Sequence, residues 1–292
     1  MAVASGAQES VALAIRRRLP LRAVDLLLLA YLAFTSLVAL ARADAMRGWR
    51  WLLAANGLTA VLILLLARSK LGRFGRTLRE IYPLLLLASL YGALDLLSSA
   101  GGVVVYDAAV RGWEAVLFGG QPSRDWWQRS PSAFWSTVLH GAYFSYYVIV
   151  ATPPLVLLVR RDLPGLRRFV LAVMATFVFC YVWFVLYPVA GPYYEFPRPT
   201  GVFVDNAMAR LVYATLAAGS SYGAAFPSSH VAASVAATIT AWRASRRLGL
   251  ALIPPTALLT VGVVYCQMHY AVDAVAGLVV GAAIAALVSA RR

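Results

Sequence analysis

Apolar positions in this chain do not alternate with polar ones; they run on. Apolar stretches long enough to cross a hydrocarbon core of about 30 Å occupy residues 24–41, 51–67, 81–100, 134–159, 166–188, 227–243, 250–268 and 270–290. The backbone satisfies all its polar groups within one such segment only as a helix. The pattern therefore predicts an all-α fold, a polytopic transmembrane bundle of about 6–8 helices, the range reflecting the shortness of the second and sixth runs. Two longer stretches, 101–133 and 189–226, do not span. The first mixes tryptophan with charge, as interfacial helices do. The second is rich in Gly, Pro and Tyr, with a short interfacial helix expected from about Asp205 to Ala217. The chain divides into N-terminal transmembrane helices (1–105), an interfacial segment (106–133) and a C-terminal transmembrane core (134–292).

Composition agrees: 61% of the 292 residues are hydrophobic and 13% charged, outside the balance of a soluble domain. The net charge of +14 would suggest nucleic acid in a soluble protein. Here the basic residues lie between apolar runs, which membrane orientation explains, so no nucleic-acid partner is expected. Sorting loops alternately puts 18 of the 26 basic residues on one side: Arg16, Arg17, Arg18, Arg22, then the groups at 68–79, 160–168 and 243–247, then Arg291 and Arg292. That side is expected to be cytoplasmic, with both termini inside, in a cell inner (plasma) membrane. Arg16–Arg18 precede a first transmembrane helix with no cleavage site for a signal peptide. A single lysine, Lys70, among many arginines points to a GC-rich bacterial genome. Cys180 and Cys266 lie in apolar runs without paired spacing and read as small buried hydrophobes, so neither a disulfide nor a metal or other cofactor is expected.

Three histidines, His140, His230 and His269, all fall near the outer face. For any one alone, a hydrogen-bonded role in the bundle serves equally well. Asp273 follows His269 at i+4, which places a carboxylate one turn deeper on the same helical face. Such a carboxylate fixes the imidazole tautomer and makes the other ring nitrogen a better nucleophile or base. Inside an apolar segment that pair is costly, which favours function. The 39 residues between His230 and His269 make one passage inward and one back, returning both to the same face. "FPSS" before His230 supplies a helix N-terminus whose free amides and dipole suit an anion such as phosphate.

"PSSH" at 227–230 followed by "HYAVDAVAG" at 269–277 resembles the type-2 phosphatidic acid phosphatase superfamily, whose motifs read P-S-G-H and S-R-x5-H-x3-D. The resemblance covers roughly residues 134–290 and implies a six-helix phosphatase-like catalytic core over the C-terminal region. It also implies that His269 attacks phosphorus to form a phosphohistidine, that Asp273 orients it and that His230 protonates the leaving oxygen. Two positions depart from the pattern: Gly262 and Val263 replace its serine and arginine. The first motif, K-x6-R-P, keeps Arg198 and Pro199 but has Gly191 for lysine. Loss of these cations resembles the inositol phosphorylceramide synthase branch, as does "HGAYFSYY" at 140–147, which would make His140 a pocket residue.

The expected activity is a metal-independent lipid phosphatase or phosphotransferase. Its substrate is a membrane lipid phosphate ester, and the acceptor is water, a second lipid or a polyol. Transfer of a phospho-headgroup such as inositol phosphate is one form, and the active site faces the outer side. Candidate substrate-binding residues are Arg198, Ser228, Ser229, His140 and Tyr194. Ser221, Tyr193 and Arg210 are weaker candidates, each with a packing, capping or headgroup role open to it. Gly277 and Gly281 form a small-xxx-small face for helix packing, and Trp126 and Trp127 read as interface anchors. The alternative is a non-catalytic lipid-binding membrane protein, a transporter or scaffold, with the same fold.

Overall fold

The structure, a computed structural model, describes residues 21–68, 72–98 and 103–290, without the side chain of Arg73. The basic residues Arg16, Arg17, Arg18, Lys70, Arg291 and Arg292 counted for orientation lie outside the described residues. In chain order the helices are α1 (Ala23–Ala41), α2 (Trp49–Arg68), α3 (Arg73–Leu85), α4 (Leu87–Ser98), α5 (Asp107–Phe118), α6 (Pro122–Arg129), α7 (Ala133–Phe144) and α8 (Tyr146–Val159). They continue as α9 (Leu163–Leu186), α10 (Pro192–Glu195), α11 (Ala207–Gly219), α12 (Ser229–Ala244), α13 (Arg246–Tyr265) and α14 (Ala271–Ala290). Among the described residues no strand forms; one parallel bridge joins Val189 to Ala224.

Among the described residues six helices are long and apolar enough to cross a membrane, counting α3 and α4 as one, and the bent pair α7 and α8 makes a seventh. The chain is thus a multi-pass membrane protein. The bend of 41° between α7 and α8 falls at Ser145, whose hydroxyl donates to the Ala142 carbonyl at 2.6 Å and competes with the helical ladder there. At 16 residues α12 is the short central helix. It packs against α14, α9, α13 and α8, and its small residues Ala232, Ala233, Ala236 and Ala237 are fully buried.

Side chains at the helix ends fix which loops share a face. Glu80 is gripped by Arg22 at 2.8 Å and Arg167 at 2.7 Å, so the start of α1, the first turns of α3 and the start of α9 lie together. Arg160 reaches Ser245 at 2.9 Å, bringing the end of α8 to the α12–α13 turn. At the opposite face Arg42 donates to the carbonyls of Leu97 at 3.0 Å and Val185 at 3.5 Å. This is the alternation on which the charge sorting rests.

Gly277 and Gly281 let α14 lie directly on α12. A Cβ on Gly277 would stand 2.7 Å from the Ser228 carbonyl, and one on Gly281 would overlap the backbone of Ala232. Gly281→Val is expected to destabilise the bundle by about 1–3 kcal/mol through overpacking. Gly57→Val, where nothing lies within 4 Å of the new Cβ, is expected to leave it unchanged. Thermal unfolding in detergent separates the two.

Candidate active site

The α12 N-terminus and the turn before α14 are tied into one unit. Ser228 is the N-cap of α12 and accepts from Val231 N at 3.4 Å, while its own N–H donates to the Asp273 carbonyl at 3.0 Å. His230 is the second residue of α12. After α13 the chain reverses at Gln267, held at φ 60°, and the N–H groups of Met268 and His269 both donate to Val263 O at 2.9 Å. The sequence placed His269 and Asp273 on one helix. Instead α14 begins at Ala271, because the Asp273 carboxylate caps it by accepting from Tyr270 N at 2.9 Å. The pair survives this change, with His269 Nδ1 lying 3.4 Å from Asp273 Oδ2, a contact longer than a well-aligned hydrogen bond.

The His230 and His269 rings face each other with centroids 6.0 Å apart. Tyr143 and Tyr146 pack on His230 at 4.9 and 4.6 Å, and the Tyr143 hydroxyl lies 3.3 Å from His230 Nε2. Burial pushes the His269 imidazole down to about 4, so at ordinary pH it is neutral, with one ring nitrogen carrying a proton and the other free. Both histidines, Ser229 and Ser221 line one end of a cavity of about 700 Å³ whose remaining wall is mostly apolar and aromatic. The Ser221 hydroxyl is buried without a partner.

Behind the histidines lies a layer that sequence reasoning missed. Asp107 accepts from Ala190 N at 2.7 Å, Gly191 N at 2.8 Å and the Tyr270 hydroxyl at 3.0 Å. It therefore clamps the 190–191 loop to the residue next to His269. Glu114 accepts from Ala271 N at 2.6 Å, on the first turn of α14, where a carboxylate also meets the positive end of the helix dipole. Gln267 donates to the carbonyls of Pro192 and Pro197 and accepts from Trp127 Nε1 at 2.7 Å. The available signal was the pair of acids in "YDAAVRGWEAV", which the interfacial reading gave no role although both are buried.

Burial also raises the Glu114 carboxyl, from 4.5 to about 7. A raised carboxyl holds its proton more tightly folded than unfolded, so its contribution to stability is greatest below about pH 4.5 and is lost as pH rises toward 7. Glu114→Gln keeps an acceptor for Ala271 and removes the titration. It is expected to flatten the stability profile over that window by on the order of 3 kcal/mol, read as Tm against pH.

The remaining candidates scatter. Ser229 and Tyr194 line the cavity, Tyr194 reaching Ser220 Oγ at 2.9 Å. Ser228 serves as the cap. Arg198 is exposed, with its guanidinium 4.3 Å from the ring centre of Tyr193, itself a cavity residue. Arg210 pairs with Asp205 in solvent. His140 does not line this cavity: it is fully buried, with its Nδ1 at 2.8 Å from Ser136 O and 3.4 Å from Cys266 Sγ. From this stretch Tyr143, Tyr146 and Tyr147, rather than His140, line the cavity. Trp127 braces Gln267, and Trp126 packs on Tyr265 at 5.2 Å, so both also support the residues around the site.

Of the three departures from the motif pattern, the two glycines are sites of tight packing and the valine is buried. Gly191 has φ 91°, and a Cβ there would meet Ala225 Cβ at 2.8 Å; a lysine does not fit. A Cβ on Gly262 would lie 2.8 Å from the Leu139 carbonyl. Val263 is wholly buried. Among the described residues no group of three or more His, Cys, Asp or Glu is arranged to hold a metal ion. A family model described as the PAP2 superfamily matches residues 114–287. No curated protein and no solved structure matches the chain significantly.

Proposed function

The chain belongs to the PAP2 superfamily, whose members suggest a membrane lipid phosphatase-type activity, and from that premise we propose that it cleaves or transfers a lipid phosphate ester through a phosphohistidine. The observation that carries this reading is the His230–His269 pair, with Asp273 behind His269, at the polar end of an apolar cavity. His269 Nε2 forms a bond to phosphorus as the phosphorus–oxygen ester bond breaks, and protonated His230 gives its proton to the leaving oxygen. Neutral His230 then takes a proton from water or an alcohol, whose oxygen displaces His269 from phosphorus. The α12 amides, Ser229 and Ser221 take the growing charge on the phosphoryl oxygens. No step requires a metal ion.

The lysine position of the phosphatase pattern is closed by packing at Gly191, and the arginine position holds the buried Val263, which favours transfer of a phospho-headgroup to a second lipid or polyol over simple phosphate release. In this reading the basic-rich face is cytoplasmic and the site faces outward. The test incubates purified protein with radiolabelled phospholipids and prenyl phosphates, with and without inositol or diacylglycerol. A new labelled lipid establishes transfer, and free phosphate alone establishes hydrolysis. Labelled lipid bound without any product leaves a binding protein.

A further inference from the structure

The family match begins at residue 114, yet the cavity it serves is not closed by the matched residues. Ile81, Leu84, Ala88 and Tyr91, on α3 and α4, form one of its walls. Another part of the lining is the face of α8 from Tyr146 to Leu158. Along α8 the trough runs about 18 Å, and along α3 and α4 about 15 Å, at 1.5 Å per residue. Half of a 30 Å hydrocarbon core is about 15 Å, so the trough is as deep as one leaflet. Its rim residues Leu85 and Leu155 are 62% and 61% exposed, which leaves it open sideways toward lipid. Its lining includes both histidines and no Asp, Glu, Lys or Arg side chain.

Tyr91 ties this wall to the catalytic loop. Its hydroxyl accepts from Ser221 N at 3.1 Å, seven residues before Ser228, and its ring packs on Tyr181 at 6.0 Å.

We infer that α3 and α4, outside the family-matched region, complete the substrate site. They form a groove for one full-length hydrocarbon chain of the lipid phosphate, which enters sideways from the bilayer. The occupant is an amphiphile because the trough is continuous with the histidine pair: phosphate belongs at one end and hydrocarbon along the rest. This rests on the proposed lipid phosphate substrate. It adds that chain-length selectivity resides in residues 81–91, and that the N-terminal helices are part of the active unit.

Two measurements test it. A hexadecyl phosphate carrying a diazirine at its chain end is photolysed with His269→Ala protein in nanodiscs. Adducts are expected on peptides covering 81–91 and 146–158; adducts confined to other helices overturn the inference. In otherwise wild-type protein, Ala88→Trp is expected to lower the ratio of kcat/KM for hexadecyl phosphate to that for butyl phosphate at least about tenfold, as losing two buried methylenes would. Leu58→Trp, on the exposed face of α2, serves as the control and is expected to keep the ratio. An unchanged ratio for Ala88→Trp overturns the inference. If wild type turns over neither ester, the catalytic reading fails, while the crosslinking result still decides the groove.

Discussion

Replacing His269 with alanine is expected to lower turnover by about 10⁴-fold or more, the scale on which loss of a covalent nucleophile acts, and to abolish the phosphoenzyme. The fold should persist, because His269 contributes to the turn through its backbone N–H, bonded to Val263 O, and Asp273 keeps its bond from Tyr270 N. Brief reaction with labelled substrate followed by acid or alkali distinguishes the linkage: a phosphohistidine survives alkali and is lost in acid. An alkali-labile, acid-stable label would move the nucleophile to a serine such as Ser229 and overturn the assignment. His230→Ala supplies the contrasting pattern. A substrate with an acidic leaving group needs no proton at the first step, so the variant should still form phosphoenzyme from p-nitrophenyl phosphate but fail with an alkyl phosphate. Equal loss on both substrates would deny His230 the acid role.

The bundle was legible because lipid enforces helices and apolar runs mark them. Boundaries failed where polar residues continue a helix beyond the apolar run. The run at 81–100 begins as α3 at Arg73, since "RFGRTLRE" remains helical on its way to the basic face. The two histidines and Asp273 were legible because titratable groups in apolar surroundings stand out. Asp107 and Glu114 were not, for they sit in a segment whose tryptophans and arginines resemble a membrane surface. Their partners lie far along the chain, Gly191 for one and Ala271 for the other. No spacing rule reaches over such separations, and only the folded loops reveal that these acids hold the turn carrying His269. His140 shows the opposite case: its neighbourhood "HGAYFSYY" does reach the cavity, but through Tyr143, Tyr146 and Tyr147.

Asp273→Asn isolates what the buried charge does, apart from the geometry it maintains. Tyr270 N–H requires an acceptor, so the asparagine carbonyl should take the place of Oδ2, which is also the oxygen nearest His269. The amide nitrogen then falls where Oδ1 sits, a position with no partner in the native site. Helix capping and ring orientation are thereby kept, and the negative charge behind the imidazole is removed. During attack His269 develops positive charge, which Asp273 stabilises at short range in a site closed to water. The variant is expected to lose about 10² to 10⁴ in kcat, with slow formation of phosphoenzyme and little change in Tm. Asp273→Ala should add a stability loss of about 1–3 kcal/mol, because the buried Tyr270 N–H loses its acceptor. If Asp273→Asn turned over within about threefold of wild type, well inside the range of a lost charge, Asp273 would be a helix cap alone and the neutral imidazole would suffice as nucleophile.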